Sequence, residues 1–270
     1  MKSSQSDRLT QQHKQSQGVV GIFGEVARLH DASVSNIQKK VMEALQCDFP
    51  SLQFRYRTSI SKVEINQNLQ AIDTALGQTL YVPNASIKPD GGIIEVCDKT
   101  GKWRVILVSE AKHQGKDIEN ISNGTLVGAK GNQDLMAAGN AIERSHKNIA
   151  EIANMMMGEV YFPYCLFLTG SNFLTENVEV TRPDGRIVKL DYNSGMLNRL
   201  DRLTSANYGL PINNNNCKNK FVTVGVNKVM LQAASIYTQG DGSAWMPSQM
   251  MEIMLDIAKT SLNILNGELY

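Results

Sequence analysis

Asp90, Glu110 and Lys112 are the residues of this chain whose types and spacing could do chemistry. Two carboxylates brought to one place bind a hard divalent cation, and a lysine beside them can orient or deprotonate a water. A hairpin would bring them together. Residues 93–97 read as one strand and 103–110 as the next, and the connection Asp98-Lys99-Thr100-Gly101-Lys102 has the length and the glycine of a hairpin loop. A turn centred on Thr100 or Gly101 makes the numbers of opposed residues sum to about 200 to 202, so Asp90 falls opposite Glu110, Ala111 or Lys112. Glu110 and Lys112 share a face, and an even sum places Asp90 on that face with them. A turn aspartate and two strand-end charges are the commoner explanation of such residues in a hairpin taken at random. The runs Ile-Ile-Glu-Val and Val-Ile-Leu-Val, however, are apolar on both faces. They belong in the centre of a sheet covered on both sides, where clustered charge is costly unless it serves a function.

The elements that must position this site are those of one α/β fold. With 270 residues and 42% hydrophobic content the chain can bury one large core, and no repeat or linker divides it. The expected organisation is a mobile N-terminal arm over residues 1–17, rich in Ser, Gln, Lys and Arg, and a single domain over 18–270. Net charge is only +1, which argues against a generally basic surface and leaves any nucleic-acid footprint to be local. The four cysteines lack CxxC spacing and the four histidines form no HExxH, so neither a zinc site nor a disulfide framework is indicated. The N-terminus is polar, and no apolar run approaches the roughly 18 residues of a membrane span. These features predict an unsecreted, cytoplasmic protein.

Along the chain, residues 19–30 and 35–46 read as two helices, the second opening on a capping box of Ser35 and Gln38. A further box, Ser61 and Glu64, starts a helix with Leu69, Ile72 and Leu76 inward and Gly77 as its stop. After Lys112 an irregular, glycine-punctuated stretch runs to Asn132, and such a long loop at a candidate site is often functional. Residues 161–169 and 229–237 read as strands, 177–192 as a hairpin turning at Arg182-Pro183-Asp184-Gly185-Arg186, and 195–207 and 250–265 as helices.

The segment from Met136 to Arg144 stands out. Ala137, Ala138, Gly139 and Ala141 are small, and Asn140 with Glu143 three residues later has the form of a helix N-terminal box. The helix that begins near Asn140 buries Ile142, Ile149, Ile152 or Ala153, and Met156, and turns Glu143, Arg144, Lys147, Asn148 and Glu151 to solvent. An ordinary amphipathic helix explains that pattern. Small residues also let backbone approach a ligand, and Asn and Arg at a helix N-terminus suit base edges and phosphates.

Pro89-Asp90 with Glu110-Ala111-Lys112 resembles the signature of the PD-(D/E)XK nucleases, which is weak in its short form. The likeness extends much further. Residues 86–92, 110–117, 133–148 and 198–204 resemble, within that superfamily, the type II restriction endonucleases of the EcoRI and RsrI family. The resemblance implies a restriction endonuclease-like fold, namely a central mixed five-stranded sheet flanked by helices on both faces, with a projecting arm that embraces DNA. It implies a homodimer cutting palindromic double-stranded DNA at GAATTC after the G, with Mg²⁺ as cofactor and a cognate DNA methyltransferase in the same system. Carried over residue by residue, Asp90, Glu110 and the Ala111 carbonyl would hold Mg²⁺ and Lys112 would activate the attacking water. Met136, Ala137, Ala138, Gly139, Asn140 and Ala141 would read base edges, joined by Glu143, Arg144 and Arg199. Lys88, Lys116, Lys147 and Asn148 would hold phosphates, and residues 1–17 with the 177–192 hairpin would form the arm. Ala129-Lys130 departs from the family's two adjacent basic residues. A repair or junction nuclease of the superfamily, and a DNA-binding dimer that does not cut, are the competing readings.

Overall fold

The apolar runs around the candidate site do form the middle of a sheet. The computed structural model describes residues 25–77, 84–128, 130–136, 141–194, 198–200, 219–224, 227–232 and 234–270. In chain order the elements are helix α1 (Glu25–Asp48), strands β1 (Phe54–Arg57) and β2 (Ile60–Ser61), helix α2 (Lys62–Ile72), and strands β3 (Ser86–Ile87), β4 (Gly92–Cys97) and β5 (Trp103–His113). Helices α3 (Asp117–Ser122) and α4 (Ala141–Met155) follow, then strand β6 (Tyr164–Thr169), the hairpins β7 (Val178–Thr181) with β8 (Ile187–Leu190) and β9 (Asn219–Val224) with β10 (Asn227–Gln232), strand β11 (Ser235–Thr238) and helix α5 (Pro247–Ile264).

The main sheet has the order β1-β4-β5-β6-β11. Its first three strands run antiparallel and its last three parallel, so it is mixed and five-stranded, as the resemblance implies. Ile93, Ile94, Ile106, Leu107 and Val108 are fully buried, as strands covered on both faces require. Alternation along β5 identifies the covers. Ser109 meets Gln38 of α1, whereas Glu110, on the other face, meets Asn148 of α4. Helices α1 and α5 therefore pack together under one face, and α4 with α2 lies over the other. Met250 and Met254 of α5 are core residues. No helix among the described residues is long and apolar enough to cross a membrane.

Several expectations hold in detail and several do not. Ser61 caps α2, its hydroxyl accepting from the Glu64 amide at 3.1 Å. Ile149, Ile152, Ala153 and Met156 are buried as the helical period requires. The two expected N-terminal helices are one: α1 runs unbroken through Ser35, whose hydroxyl bonds to the Tyr56 hydroxyl at 3.1 Å instead of capping a backbone. Ile72, expected inward, lies in the last position of α2 and is 51% exposed, because the helix stops at Asp73 before Gly77. The expected strand over 229–237 is two strands in different sheets, β10 and β11. Strand β1 was not anticipated, since Phe-Arg-Tyr-Arg carries two charges. At this edge Arg55 and Arg57 find partners in the buried Glu95, at 2.6 and 3.4 Å. The stretch after Lys112 contains α3 and a bridge between Val127 and Gln133, so it is less irregular than its glycines suggest. Glu151, expected in solvent, is half-buried in an ion pair with Lys62. The expected arm over 1–17, and most of the expected helix over 195–207, lie outside the described residues.

Gly91 fixes the approach to the site. Its amide donates to the Ser109 carbonyl at 2.9 Å, and a Cβ there would stand 1.9 Å from Ser109 Oγ and 2.9 Å from Gln38 Oε1. The backbone before β4 can therefore close onto β5 only without a side chain. Gly91→Ala is expected to lower unfolding free energy by about 1–3 kcal/mol, the usual cost of overpacking, measured as a reduced urea midpoint. An unchanged midpoint would show that β5 can move aside.

Candidate active site

Asp90, Glu110 and Lys112 do converge, though by a different route from simple strand register. After a bulge between Ile94 and Glu95 the opposed pairs are Gly92 with Ser109 and Ile93 with Val108, so their numbers sum to 201, an odd value. Regular extension would set Asp90 opposite Ala111 and point it away from Glu110. The chain leaves extended geometry instead, at Gly92 with φ of 90°, and Asp90 precedes the strand in a bend. That bend turns the Asp90 carboxylate to the Lys112 face. Only glycine adopts this φ without strain, so the Gly-Gly after Asp90 is what makes the convergence possible.

Lys112 stands between the two carboxylates. Its Nζ bonds to Asp90 Oδ2 and lies 2.7 Å from Glu110 Oε1. Glu110 has no exposed surface, whereas the Asp90 side chain keeps 20% and Lys112 15%. The site is thus sealed on the Glu110 side and open on the Asp90 side. Two further donors reach Glu110. Asn148 Nδ2 of α4 donates to Oε1 at 3.2 Å, and the fully buried Tyr164 hydroxyl of β6 donates to Oε2. Burial pushes the Glu110 carboxyl above the usual carboxylate range, opposed by Lys112 and reinforced by Asp90. Burial acts on Lys112 in the opposite sense, but the two carboxylates outweigh it and its pKa is raised, so it stays an ammonium at neutral pH. Burial and the Glu110 charge hold the Tyr164 hydroxyl protonated and hence a donor.

The donors suit a hard cation. Asp90, Glu110 and the Ala111 backbone of the same strand end supply only oxygen ligands, the preference of Mg²⁺ and Ca²⁺. Among the described residues no group of three or more His, Cys, Asp or Glu could hold a metal, so an ion here would complete its shell with water and substrate oxygens.

The residues expected to read DNA follow from the same strand. Just past β5, the buried Asp117 accepts from Ser171 Oγ at 2.8 Å and, through its other oxygen, from the Met136 amide at 2.9 Å. Met136 is 47% exposed, and Ala141 opens α4 with Glu143 and Arg144 in its first turn. Ala137, Ala138, Gly139 and Asn140 lie outside the described residues. Lys88 and Lys147 are exposed and Lys116 is half-exposed. Arg199 is half-buried, its amide donating to the Asn172 carbonyl at 3.0 Å. The Asn148 side chain, expected to hold a phosphate, lies against Glu110 Oε1. The β7–β8 hairpin is a separate sheet, anchored to α3 by a small core of Ile121, Leu174, Val180 and Leu190. Its turn residue Arg182 bonds to Asp134 at 2.6 Å, two residues before Met136.

Sequence reasoning missed Tyr164 and the Asn148 contact with Glu110. Tyr164 sits in a run of apolar and aromatic residues and reads as core. The signal that could have found it is its place one strand over from Glu110 with a hydroxyl that burial obliges to find an acceptor.

A mixed sheet with two carboxylates and a lysine at one strand end, flanked by a helix that reaches the buried carboxylate, is the architecture of the restriction endonuclease-like nucleases. The comparisons narrow this to one family. A family model described as "Restriction endonuclease EcoRI" matches residues 16–270. The type II restriction enzyme EcoRI of Escherichia coli is 65% identical over 266 residues, covering 98% of this chain and 96% of that protein. The type II restriction enzyme RsrI of Cereibacter sphaeroides is 50% identical over 265 residues, covering 98% and 95%. The chain belongs to the EcoRI family of type II restriction endonucleases.

His113, next to Lys112, gives a pH test of the site's burial. Its Nδ1 lies 3.0 Å from Thr169 Oγ1, and burial, helped by Lys116 and opposed by Glu119, lowers its pKa below 6.5. A depressed imidazole favours the folded state above the unfolded pKa, and that contribution is lost as pH falls through the folded value. Wild type should therefore lose stability below about pH 6.5 that His113→Gln does not lose, with a slope of at most about 1.4 kcal/mol per pH unit. Parallel urea-stability profiles for the two proteins would contradict a buried neutral imidazole.

Proposed function

We propose that the chain is a homodimeric type II restriction endonuclease that binds double-stranded DNA at GAATTC and cuts each strand after the G. The observation that carries the reading is Lys112 bridging Asp90 and Glu110 at the end of β5, with the exposed Met136 held by Asp117 just past the same strand. The 65% identity to EcoRI over nearly the whole chain supports the site sequence. The described residues hold one such carboxylate–lysine set, so cutting both strands of a palindrome calls for two copies related by a twofold axis.

Asp90, Glu110 and the Ala111 carbonyl would hold Mg²⁺, which would supply stabilisation of the charge developing on the phosphate and activation of a water. Lys112, an ammonium held by both carboxylates, orients the attacking water and donates to the scissile phosphate. In-line attack at phosphorus leaves a 5′-phosphate and a 3′-hydroxyl. The exposed Lys88 and Lys147 and the half-exposed Lys116 place positive charge for the flanking phosphates, which is how a chain of net charge +1 builds a local footprint. Met136 to Ala141, with Glu143, Arg144 and Arg199, reads base edges in the major groove. The enzyme works in the cytoplasm, where a methyltransferase of the same specificity protects host DNA.

Cleavage of a plasmid of known sequence with Mg²⁺ should give discrete linear fragments whose ends map to GAATTC with 5′ overhangs. Random nicking, or fragment ends at other sequences, would refute the assignment. Asp90→Ala and Lys112→Ala should each slow cleavage by about 10³-fold or more, roughly 4 kcal/mol of transition-state stabilisation, while retaining specific binding in EDTA. Loss of binding together with cleavage would show that chemistry and recognition do not occupy separate segments.

A further inference from the structure

Glu110 is held at both oxygens, and the two are not equivalent. Oε1 faces Lys112 and Asn148, on the side where Asp90 also reaches the lysine. Oε2 faces only the interior, where the Tyr164 hydroxyl donates to it. The strand register explains this contact. Val108 of β5 pairs with Tyr164 of β6 and Glu110 pairs with Leu166, so Tyr164 lies two residues behind Glu110 on the same sheet face. A phenol is long enough to span that offset and a phenyl ring ends short of it. Phe162, two residues earlier and on the same face again, stacks on the Tyr164 ring with centroids 5.8 Å apart and planes 17° from parallel. The ring plane is thereby fixed and the hydroxyl is aimed. Tyr164, Phe162 and Glu110 are all fully buried, so no solvent can replace the bond if it is removed.

We infer that Tyr164 is a positioning residue for the metal: by holding Oε2, it commits Glu110 to offer the cation Oε1 alone. This deepens the nuclease reading and rests on it. Mg²⁺ demands near-octahedral geometry and is poorly served by a carboxylate that swings or chelates through both oxygens, whereas Ca²⁺ accepts bidentate carboxylates. The hydroxyl therefore selects for the smaller ion as well as strengthening its binding. Neighbours of metal ligands typically account for 10- to 100-fold in metal affinity.

The test is Tyr164→Phe, which deletes one oxygen and keeps the ring. Two half-saturation values are measured beside wild type: Mg²⁺ in single-turnover cleavage, and Ca²⁺ in tightening of binding to a GAATTC duplex, read by fluorescence anisotropy with the duplex checked intact. Affinity for the same duplex in EDTA and the thermal midpoint report whether the variant is folded. The expected result is a Mg²⁺ requirement raised about 10- to 100-fold, a smaller shift for Ca²⁺, maximal cleavage largely recovered at saturating Mg²⁺, and EDTA affinity unchanged. An unchanged Mg²⁺ requirement overturns the inference. So does a shift of both cations by one factor, or a fall in EDTA affinity that accounts for the loss, since a merely structural hydroxyl would give those results. Failure of the underlying reading is separately visible, because wild type would then show no Mg²⁺-dependent cutting at GAATTC.

Discussion

A carboxylate with no exposed surface, Glu110, sits at the end of the central strand, and the surrounding structure depends on the need to stabilise it. An ionised acid removed from water is tolerated only with donors around it. Three side chains from three elements answer that need: Lys112 from β5 itself, Asn148 from α4 and Tyr164 from β6. The cost of the buried charge is thus what draws a strand, its neighbour and a helix to one point. Burial still pushes the Glu110 carboxyl upward, with Lys112 acting against it.

The same contacts tie α4 and the chain before it to the end of β5. Helix α4 begins at Ala141, and two turns later its Asn148 touches Glu110. A second connection runs through Asp117, whose carboxylate holds the Met136 amide. A third runs from Arg182 in the β7–β8 turn to Asp134. Each link is short, hydrogen-bonded and at least partly shielded from water, so Met136 on one side and Asn148 on the other are each tied to the end of β5 or the residues just past it.

The meeting of Asp90, Glu110 and Lys112 was legible in the sequence because it depends on local features: two strands apolar on both faces, a turn of recognisable length and charges at the strand end. Strand register alone does not bring Asp90 to Glu110. A bulge shifts the pairing between Ile94 and Glu95, and no pattern of apolar residues announces it. The Gly91-Gly92 pair carried the missing information, because it allows the bend that redirects Asp90. Strand β1 and the division of 229–237 into β10 and β11 escaped for a related reason: both are set by partners distant in sequence, Glu95 for the arginines of β1 and Cys165 to Leu168 of β6 for β11. Ser35 had the composition of a cap and serves as a contact to Tyr56, a choice made by tertiary packing over local preference. Tyr164 was invisible because an aromatic residue among Phe162, Phe167 and Leu168 carries no mark of polarity until its neighbour strand is known.

The paired anchoring of Met136 to Asp117 and of Asn148 to Glu110 bears on how such enzymes diversify. In sequence the two contacts stand on either side of residues 137–147. An insertion or deletion between them would have to displace Met136 from Asp117 or Asn148 from Glu110. On the function proposed above, new specificities should therefore arise by substitution inside a stretch of constant length rather than by exchange of cassettes.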